Sequence, residues 1–294
     1  MAVWNFGSIN ADYFYLVPHI PGRGETLAAT KFSTGLGGKG ANSSVAAARA
    51  GADVFHIGAV GADGAWATER LASYSVDTRH VETVEAPTGH AIINVAEDGE
   101  NAIVILAGAN VDQPLVTALQ ALDAAKPGDY LMLQNETAHQ ATMAEAGQNA
   151  GLKVVYSAAP FSEKSVRNVM RFVDVLVMNE IEAQQLSAAL DTDIGKLDVP
   201  HILITKGSDG ASWFDIQAGT QTYQDAFKVD PVDTTGAGDT FAGYMVAGLD
   251  EGLGVAAALR LASAAAALKV TRAGTADAIP ARQEVEAFLA AQPA

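Results

Sequence analysis

Short β-branched runs and alanine-rich stretches take turns along this chain, and that alternation most narrows what it can fold into. Val3 to Ile9 is followed by Ala41 to Ala50, and Val54 to Val60 by Ala65 to Tyr74. The rhythm resumes with Tyr130 to Gln134, His139 to Ala150, Val154 to Ser157, Val173 to Met178, Glu180 to Leu190 and Ile202 to Thr205. Continuous Val, Ile and Leu runs read as strands buried on both faces, and the helices between them are what cover such a sheet. The pattern therefore predicts an α/β fold with a mostly parallel central sheet between helical layers. After Asp209-Gly210 it gives two more strands, Ala211 to Ile216 and Gln221 to Phe227. Helices at Ala237 to Leu249, Val255 to Thr271 and Arg282 to Ala291 close the chain.

Two stretches break the rhythm. Ala11 to Ser33 holds Tyr13, Phe14, Tyr15 and Leu16, then Pro18, Pro21 and glycines, and is too irregular for a helix. Gly89 to Ala107 gives two alternating runs joined by the turn-forming Glu97-Asp98-Gly99-Glu100. Segments of about 11–33 and 88–107 are thus expected to form a small β-sheet inserted in one domain spanning 1–294. Strands added over the C-terminal edge of a parallel sheet are placed to act as a lid, because ligands bind at that edge.

Composition narrows the partners. The chain of 294 residues carries 34 acidic and 18 basic side chains, a formal net charge of −16. Nucleic-acid binders draw affinity from basic surfaces that neutralise phosphates, so a nucleic acid is excluded as a partner. The absence of cysteine removes disulfides, thiolate metal sites and thiol nucleophiles, and fits a reducing cytoplasm. MAVWNFGSIN does not read as a secretory signal, and no apolar run reaches the roughly 20 residues of a membrane span. The expected location is cytoplasmic, with no membrane partner.

Three glycine- or acid-rich strings carry chemistry. Val232 to Phe241 reads Val-Asp-Thr-Thr-Gly-Ala-Gly-Asp-Thr-Phe and runs straight into an apolar helical pattern. Gly236 and Gly238 let the backbone approach a ligand, and a turn leading into a helix offers unpaired N–H groups and the positive end of the helix dipole to an anion. Asp239 falls in the first turn, where a carboxylate also serves as a cap. Gly35-Leu36-Gly37-Gly38-Lys39-Gly40-Ala41-Asn42 precedes another helix. It is no P-loop, since Lys39 is followed by glycine. Gly38 permits close approach, while Lys39 and Asn42 can donate to hydroxyl groups. Asn179-Glu180-Ile181-Glu182 lies at a strand-to-helix junction and can either cap the helix or hold waters of a hydrated Mg2+.

These strings, with Gly7-Ser8-Ile9-Asn10-Ala11-Asp12, Gly58 to Gly64, Gly99-Glu100-Asn101, Gly108-Ala109-Asn110 and Val270-Thr271-Arg272-Ala273-Gly274, occur in one order along the chain. In that order they resemble the ribokinase family of carbohydrate kinases, the PfkB-type sugar kinases, almost from end to end. The resemblance implies a three-layer αβα sandwich with a β-sheet lid, homodimerisation through the lid, and small-molecule partners, a sugar and ATP. The implied reaction moves the γ-phosphoryl group of ATP to a primary hydroxyl of a pentose, D-ribose giving ribose 5-phosphate. A nucleoside, deoxysugar or keto-sugar acceptor is the alternative, and a non-catalytic sugar- or nucleotide-binding protein the remote one.

By resemblance Asp239 is the catalytic base, and Gly236, Ala237 and Gly238 form an anion hole. Asn10, Asp12, Gly38, Lys39, Asn42, Glu136 and Asp239 hold the sugar. Asn179, Thr205, Lys206, Gly207, Ser208, Gly210, Gly238 and Ser263 match the ATP site, and Glu182 acts on the Mg2+ water network. Asp233, Thr235 and backbone oxygens near Lys269, Arg272 and Gly274 match a K+ site. The chain departs from the family pattern at Ser157-Ala158-Ala159-Pro160 where Asn-Pro-Ala-Pro is usual, at Met178 where Pro is usual, and at Ala278 where Ser is frequent near the cation.

Overall fold

A computed structural model describes residues 1–292. The first half runs β1 (Ala2–Phe6), β2 (Asn10–Val17), β3 (Lys31–Gly37), α1 (Lys39–Arg49), β4 (Asp53–Gly61), α2 (Ala65–Ser73), β5 (Val76–Val84), β6 (Gly89–Ala96) and β7 (Asn101–Leu106). Next come α3 (Leu115–Ala121), β8 (Tyr130–Gln134), α4 (Gln140–Asn149), β9 (Lys153–Ser157), α5 (Glu163–Val169), β10 (Val175–Asn179) and α6 (Glu180–Leu190). The chain finishes with β11 (His201–Thr205), β12 (Ala211–Asp215), β13 (Thr220–Gln224), α7 (Ala237–Glu251), α8 (Val255–Val270) and α9 (Arg282–Ala290).

Nine strands form the large sheet in the order β13-β12-β11-β10-β9-β8-β1-β4-β5, parallel except for the antiparallel β11-β12 and β12-β13 pairs. Alternate residues of one strand enter different cores. Val3, Met132, Val155, Val177 and Leu203 pack under α1, α7 and α8, while Trp4, Leu131, Leu133, Val154, Leu176 and Ile202 pack under α4, α5 and α6. Burial on both faces explains why these strands carry no polar alternation. Met178 belongs to the second core and is 1% exposed, so this departure from the family pattern is a packing residue.

The second sheet has the order β3-β2-β6-β7, with β2 and β6 parallel and both flanking pairs antiparallel. It occupies the two stretches that broke the rhythm, with one correction of extent. β3 begins at Lys31 and runs to Gly37, so Gly35 to Gly37 end a strand instead of forming a loop, and only Gly38, at φ 90°, makes the turn into α1. Pairing with β2 supplies the backbone hydrogen bonds that local propensity does not favour in this glycine-rich segment.

Two close approaches set the geometry near the C-terminal edge. A Cβ on Gly7 would come within 2.5 Å of the Gly40 Cα, and one on Gly40 within 2.5 Å of the Gly7 Cα, so the turn after β1 lies directly on the start of α1. Farther along, a Cβ on Gly243 of α7 would meet the Ala46 Cβ at 2.5 Å and the Ser43 carbonyl at 2.6 Å, so α7 lies backbone-close to α1. The two helices therefore start side by side. Among the described residues no helix is long and apolar enough to cross a membrane. Replacing Gly243 by Val should lower stability by about 1–3 kcal/mol, the usual cost of overpacking. Thermal unfolding measures it, and a variant as stable as the parent would refute the close packing of α1 and α7.

Candidate active site

The sheet fills in two directions from β1, toward β4 and β5 on one side and toward β8 and its successors on the other. Loops leaving the C-terminal ends of β1 and β8 diverge there and open a crevice, the position at which open α/β sheets bind ligands. Ser8 follows β1 and Glu136 follows β8, and Ser8 Oγ donates to Glu136 Oε2 at 2.5 Å. The Lys39 amide donates to the same oxygen at 3.0 Å, which ties α1 to the crevice. Beneath it, Asn5 Nδ2 donates to the Gly40 carbonyl at 2.7 Å and to Ser44 Oγ at 2.8 Å. His56 Nε2 donates to the Gly7 carbonyl at 3.2 Å; burial pushes this imidazole down to about 4, so it is a neutral structural prop.

Asn10, Asp12, Lys39, Asn42, Glu136 and Asp239 border this crevice. Asn42 Nδ2 donates to Asp239 Oδ2 at 2.9 Å, and Lys39 Nζ lies 3.8 Å from Asp239 Oδ1. Asn42 Oδ1 is buried and has no hydrogen-bond partner among the described residues, which leaves an acceptor for a ligand hydroxyl. Thr275 Oγ1 donates to Asp12 Oδ2 at 3.3 Å and to the Leu36 carbonyl at 2.6 Å. Burial drives the Asp12 carboxyl up to about 7; the Thr275 hydrogen bond opposes this and the nearby Glu136 and Asp239 carboxylates add to it. The same Asp239 charge holds the Lys39 ammonium above its ordinary value, against the cost of burial. One ammonium thus stands among several acids, an arrangement suited to a neutral polyol.

α7 begins at Ala237 after Gly236, which adopts φ 73°, a left-handed conformation that favours glycine. Asp239 sits in the first turn and is 8% exposed. Of the three residues expected to form an anion hole, Gly238 has open space around the position of a Cβ and its first-turn amide has no intrahelical acceptor. The Ala237 amide donates to the Thr234 carbonyl at 3.2 Å and closes the turn, so it is not free for an anion. Beside this turn lies a cleft of about 420 Å³ lined by Thr205, Gly207, Ser208, Gly210, Phe227 and Ser263 together with Thr234, Ala237 and Gly238. Ser263 Oγ has no partner among the described residues and faces this mostly apolar space. The start of α7 therefore separates a polar crevice from a flat-molecule cleft and touches both.

Not every expected residue joins these walls. Lys206 does not line the cleft, and its ammonium lies 6.0 Å from the Tyr223 ring centre. Asn179 and Glu182 form a reciprocal cap, the Glu182 amide donating to Asn179 Oδ1 and the Asn179 amide to Glu182 Oε2, each at 2.8 Å. That bond engages one Glu182 oxygen, and the charge of Glu182 is felt at Lys39. Among the described residues no group of three or more acids or histidines gathers as a metal site. Mg2+ needs no such group, since it keeps several waters and binds phosphate oxygens with one or two carboxylates. The residues present fit that mode.

They do not fit the expected K+ ion. Asp233 Oδ1 and Oδ2 accept from the Thr235 and Gly274 amides, each at 2.9 Å. The Asp233 carbonyl accepts from Lys269 Nζ at 2.9 Å, and that ammonium stands 4.0 Å from Asp233 Oδ2. A cation on this carboxylate would have to share it with the Lys269 ammonium and would be repelled by that like charge. Ala278 supplies no hydroxyl, and the Arg272 guanidinium turns outward to Glu284 at 2.7 Å.

Other contributors had weak sequence signals. Ser8 and Thr275 are isolated hydroxyls that acquire partners only through the fold. Asn110, in a motif but given no role, receives the Ile9 amide at 2.8 Å and donates to Asn10 Oδ1 at 2.7 Å, fixing Asn10. The strand expected over Gln221 to Phe227 ends at Gln224, and Ala226 and Phe227, with Lys228, Val229 and Pro231 beyond them, line the cleft instead.

Comparison with known proteins places this geometry. Residues 3–282 match the description pfkB family carbohydrate kinase. A protein named ribokinase from Haemophilus influenzae is 36% identical over 298 residues, covering 96% of each chain. A deoxyribokinase from Salmonella typhimurium is 31% identical over 301 residues, covering 96% of this chain and 97% of its own. The solved structure of Arabidopsis thaliana ribokinase complexed with ribose and ATP superposes with a TM-score of 0.87 at 30% identity, covering 98% of this chain and 99% of that one.

Asp12 yields a pH test. Between about pH 4 and 7 the unfolded chain has lost this proton and the folded protein keeps it, so the group lowers stability as pH rises through that window. Asp12→Asn should therefore gain on the parent by on the order of 2 kcal/mol in going from pH 5 to pH 8. Denaturant unfolding at both pH values reads this, and an equal difference at both would show that Asp12 titrates normally.

Proposed function

Because this chain belongs to the pfkB family of carbohydrate kinases, we propose that its reaction is transfer of the γ-phosphoryl group of ATP to the primary O5 hydroxyl of D-ribose. The observation that supports this most is the place of Asp239, at the start of α7 between the polar crevice and the apolar cleft, with Asn42 on one carboxylate oxygen and Lys39 near the other. The enzyme is an ATP-dependent carbohydrate kinase. Its acceptor is read from the crevice, where Asn10, Asp12, Lys39, Asn42 and Glu136 gather groups that hydrogen-bond hydroxyls. A deoxysugar remains the chemically nearest competitor, since it loses one hydroxyl and with it one partner.

In this reading Asp239 accepts the hydroxyl proton as the acceptor oxygen meets phosphorus. Phosphoryl transfer passes through a loose transition state, so positioning and charge stabilisation dominate. The Gly238 amide and the start of α7 face the transferred group, and the Lys39 ammonium balances negative charge beside the base. Ser263 and the apolar lining of the cleft suit the adenine end of ATP. Mg2+, held with the phosphates on the Glu182 side, would supply charge neutralisation there.

The small sheet serves as the lid that excludes water from the crevice. Its edge strand β7 exposes Ile103, Val104, Ile105 and Leu106 in succession, Val104 being 66% and Ile105 61% exposed. An exposed apolar edge strand is unusual in a monomer, and a second copy of the same lid would cover it. A homodimer in a reducing cytoplasm is the setting these features favour.

Asp239→Asn should cut kcat by at least about a hundredfold, about 2.7 kcal/mol in the barrier, while ribose affinity by calorimetry changes little. A loss below about tenfold would show that Asp239 is not the base. Light scattering should give a dimer for the parent chain and a monomer for Val104→Glu; a monomeric parent would remove the lid-to-lid reading.

A further inference from the structure

Lys269 is the one lysine among the described residues that the fold buries completely, at 0% exposure, and neither the crevice nor the cleft uses it. It lies in the last turn of α8, where the helix dipole favours a cation, and its ammonium donates to the Asp233 carbonyl at 2.9 Å. The Asp233 carboxylate stands 4.0 Å away and is itself the anchor of the turn, accepting from the Thr235 and Gly274 amides. The Val232 and Asp233 amides also donate to the Val270 carbonyl, at 2.7 and 3.0 Å. Three residues after Asp233 the chain reaches Gly236 and the start of α7. Burying an ammonium is costly unless something nearby needs the charge. Burial holds this ammonium below its ordinary value, and the Asp233 and, more distantly, Asp239 carboxylates oppose that.

We propose that the Lys269 ammonium is a tethered substitute for a bound monovalent cation, bracing the Asp233 turn that shapes the anion hole and adding a fixed positive charge behind the transferred phosphoryl group. A free ion would occupy the same carbonyl-and-carboxylate corner, to which Ala278 adds no further side-chain oxygen. The enzyme therefore works without K+. Lys269 acts through the turn and is a positioning residue. What its charge is used for rests on the kinase reading above; that it excludes K+ rests on geometry alone.

The test compares the parent, Lys269→Ala and Lys269→Met in NaCl, KCl or NH4Cl at equal ionic strength, by ribose-dependent ADP release and by thermal unfolding. The parent should show rates in KCl within about threefold of those in NaCl, and melting temperatures within about 1 °C. Lys269→Ala should lose at least about tenfold in NaCl and regain most of it in KCl or NH4Cl, because the vacated corner admits an ion. Lys269→Met fills the space without charge and should lose rate without rescue. A parent activated more than about threefold by KCl, or stabilised by KCl but not NaCl, would overturn the proposal. So would a loss in Lys269→Ala that neither ion reverses, which marks a purely structural lysine, or no loss at all. Should the variants fail to fold, the parent's response to KCl decides. Should no sugar support ADP release, the kinase reading fails by itself, and the melting comparison still decides whether Lys269 excludes K+.

Discussion

The backbone contact between Gly7 and Gly40 carries the architecture of the site. Each residue lacks the one atom that would hold the turn after β1 away from the start of α1. With that atom absent, the Lys39 amide reaches Glu136 beyond β8, and Asn5 and His56 support the turn from below. The second approach, Gly243 of α7 on Ser43 and Ala46 of α1, brings Asp239 within hydrogen-bond distance of Asn42. Residues separated by 197 positions in sequence thus meet because two helices can touch backbone to backbone. Neither glycine contact involves the chemistry, yet both decide where it happens.

The electrostatics follow from that geometry. A chain with a net charge of −16 holds a polyphosphate without a basic surface because the positive potential is local. It comes from the amides at the start of α7, from Lys39 beside Asp239 and from Lys269 behind the turn. The acids are equally local: Asp12, Glu136 and Asp239 crowd one crevice, and burial with that crowding raises Asp12 to about 7. Such a crowd of acids suits a neutral polyol, and the amides at the start of α7 suit an anion.

Much of this was legible in the sequence, and the reasons are physical. β8 and α6 fall on the residues the apolar pattern named, because a strand buried on both faces and a capped helix each write their own signal. The glycine strings marked both helix starts, since close approach and left-handed turns restrict residue choice strongly. Three elements passed unnamed. β5 is half-exposed and mixed in polarity, and α3 and α5 span seven residues each, too short for a helical period to show. Gly35 to Gly37 read as a loop because pairing with β2, which no local pattern announces, makes them a strand. At the site, partners supplied by the fold alone stayed hidden: Thr275 on Asp12, Asn110 on Asn10, and Lys269 on Asp233. The last bears on the expected cation loop, since a sequence shows that a lysine is present but not where its ammonium ends.

The central claim is that the crevice recognises a free sugar through its hydroxyls and passes it a phosphoryl group at the start of α7. The most direct measurement is coupled ADP release from MgATP across D-ribose, 2-deoxyribose, a ketohexose and a nucleoside, compared as kcat/KM. The account predicts D-ribose first, with 2-deoxyribose lower by at least about tenfold for the lost hydroxyl contact, and little ATP turnover without sugar. A nucleoside preferred over D-ribose, or ATP hydrolysed as fast without any acceptor, would contradict it.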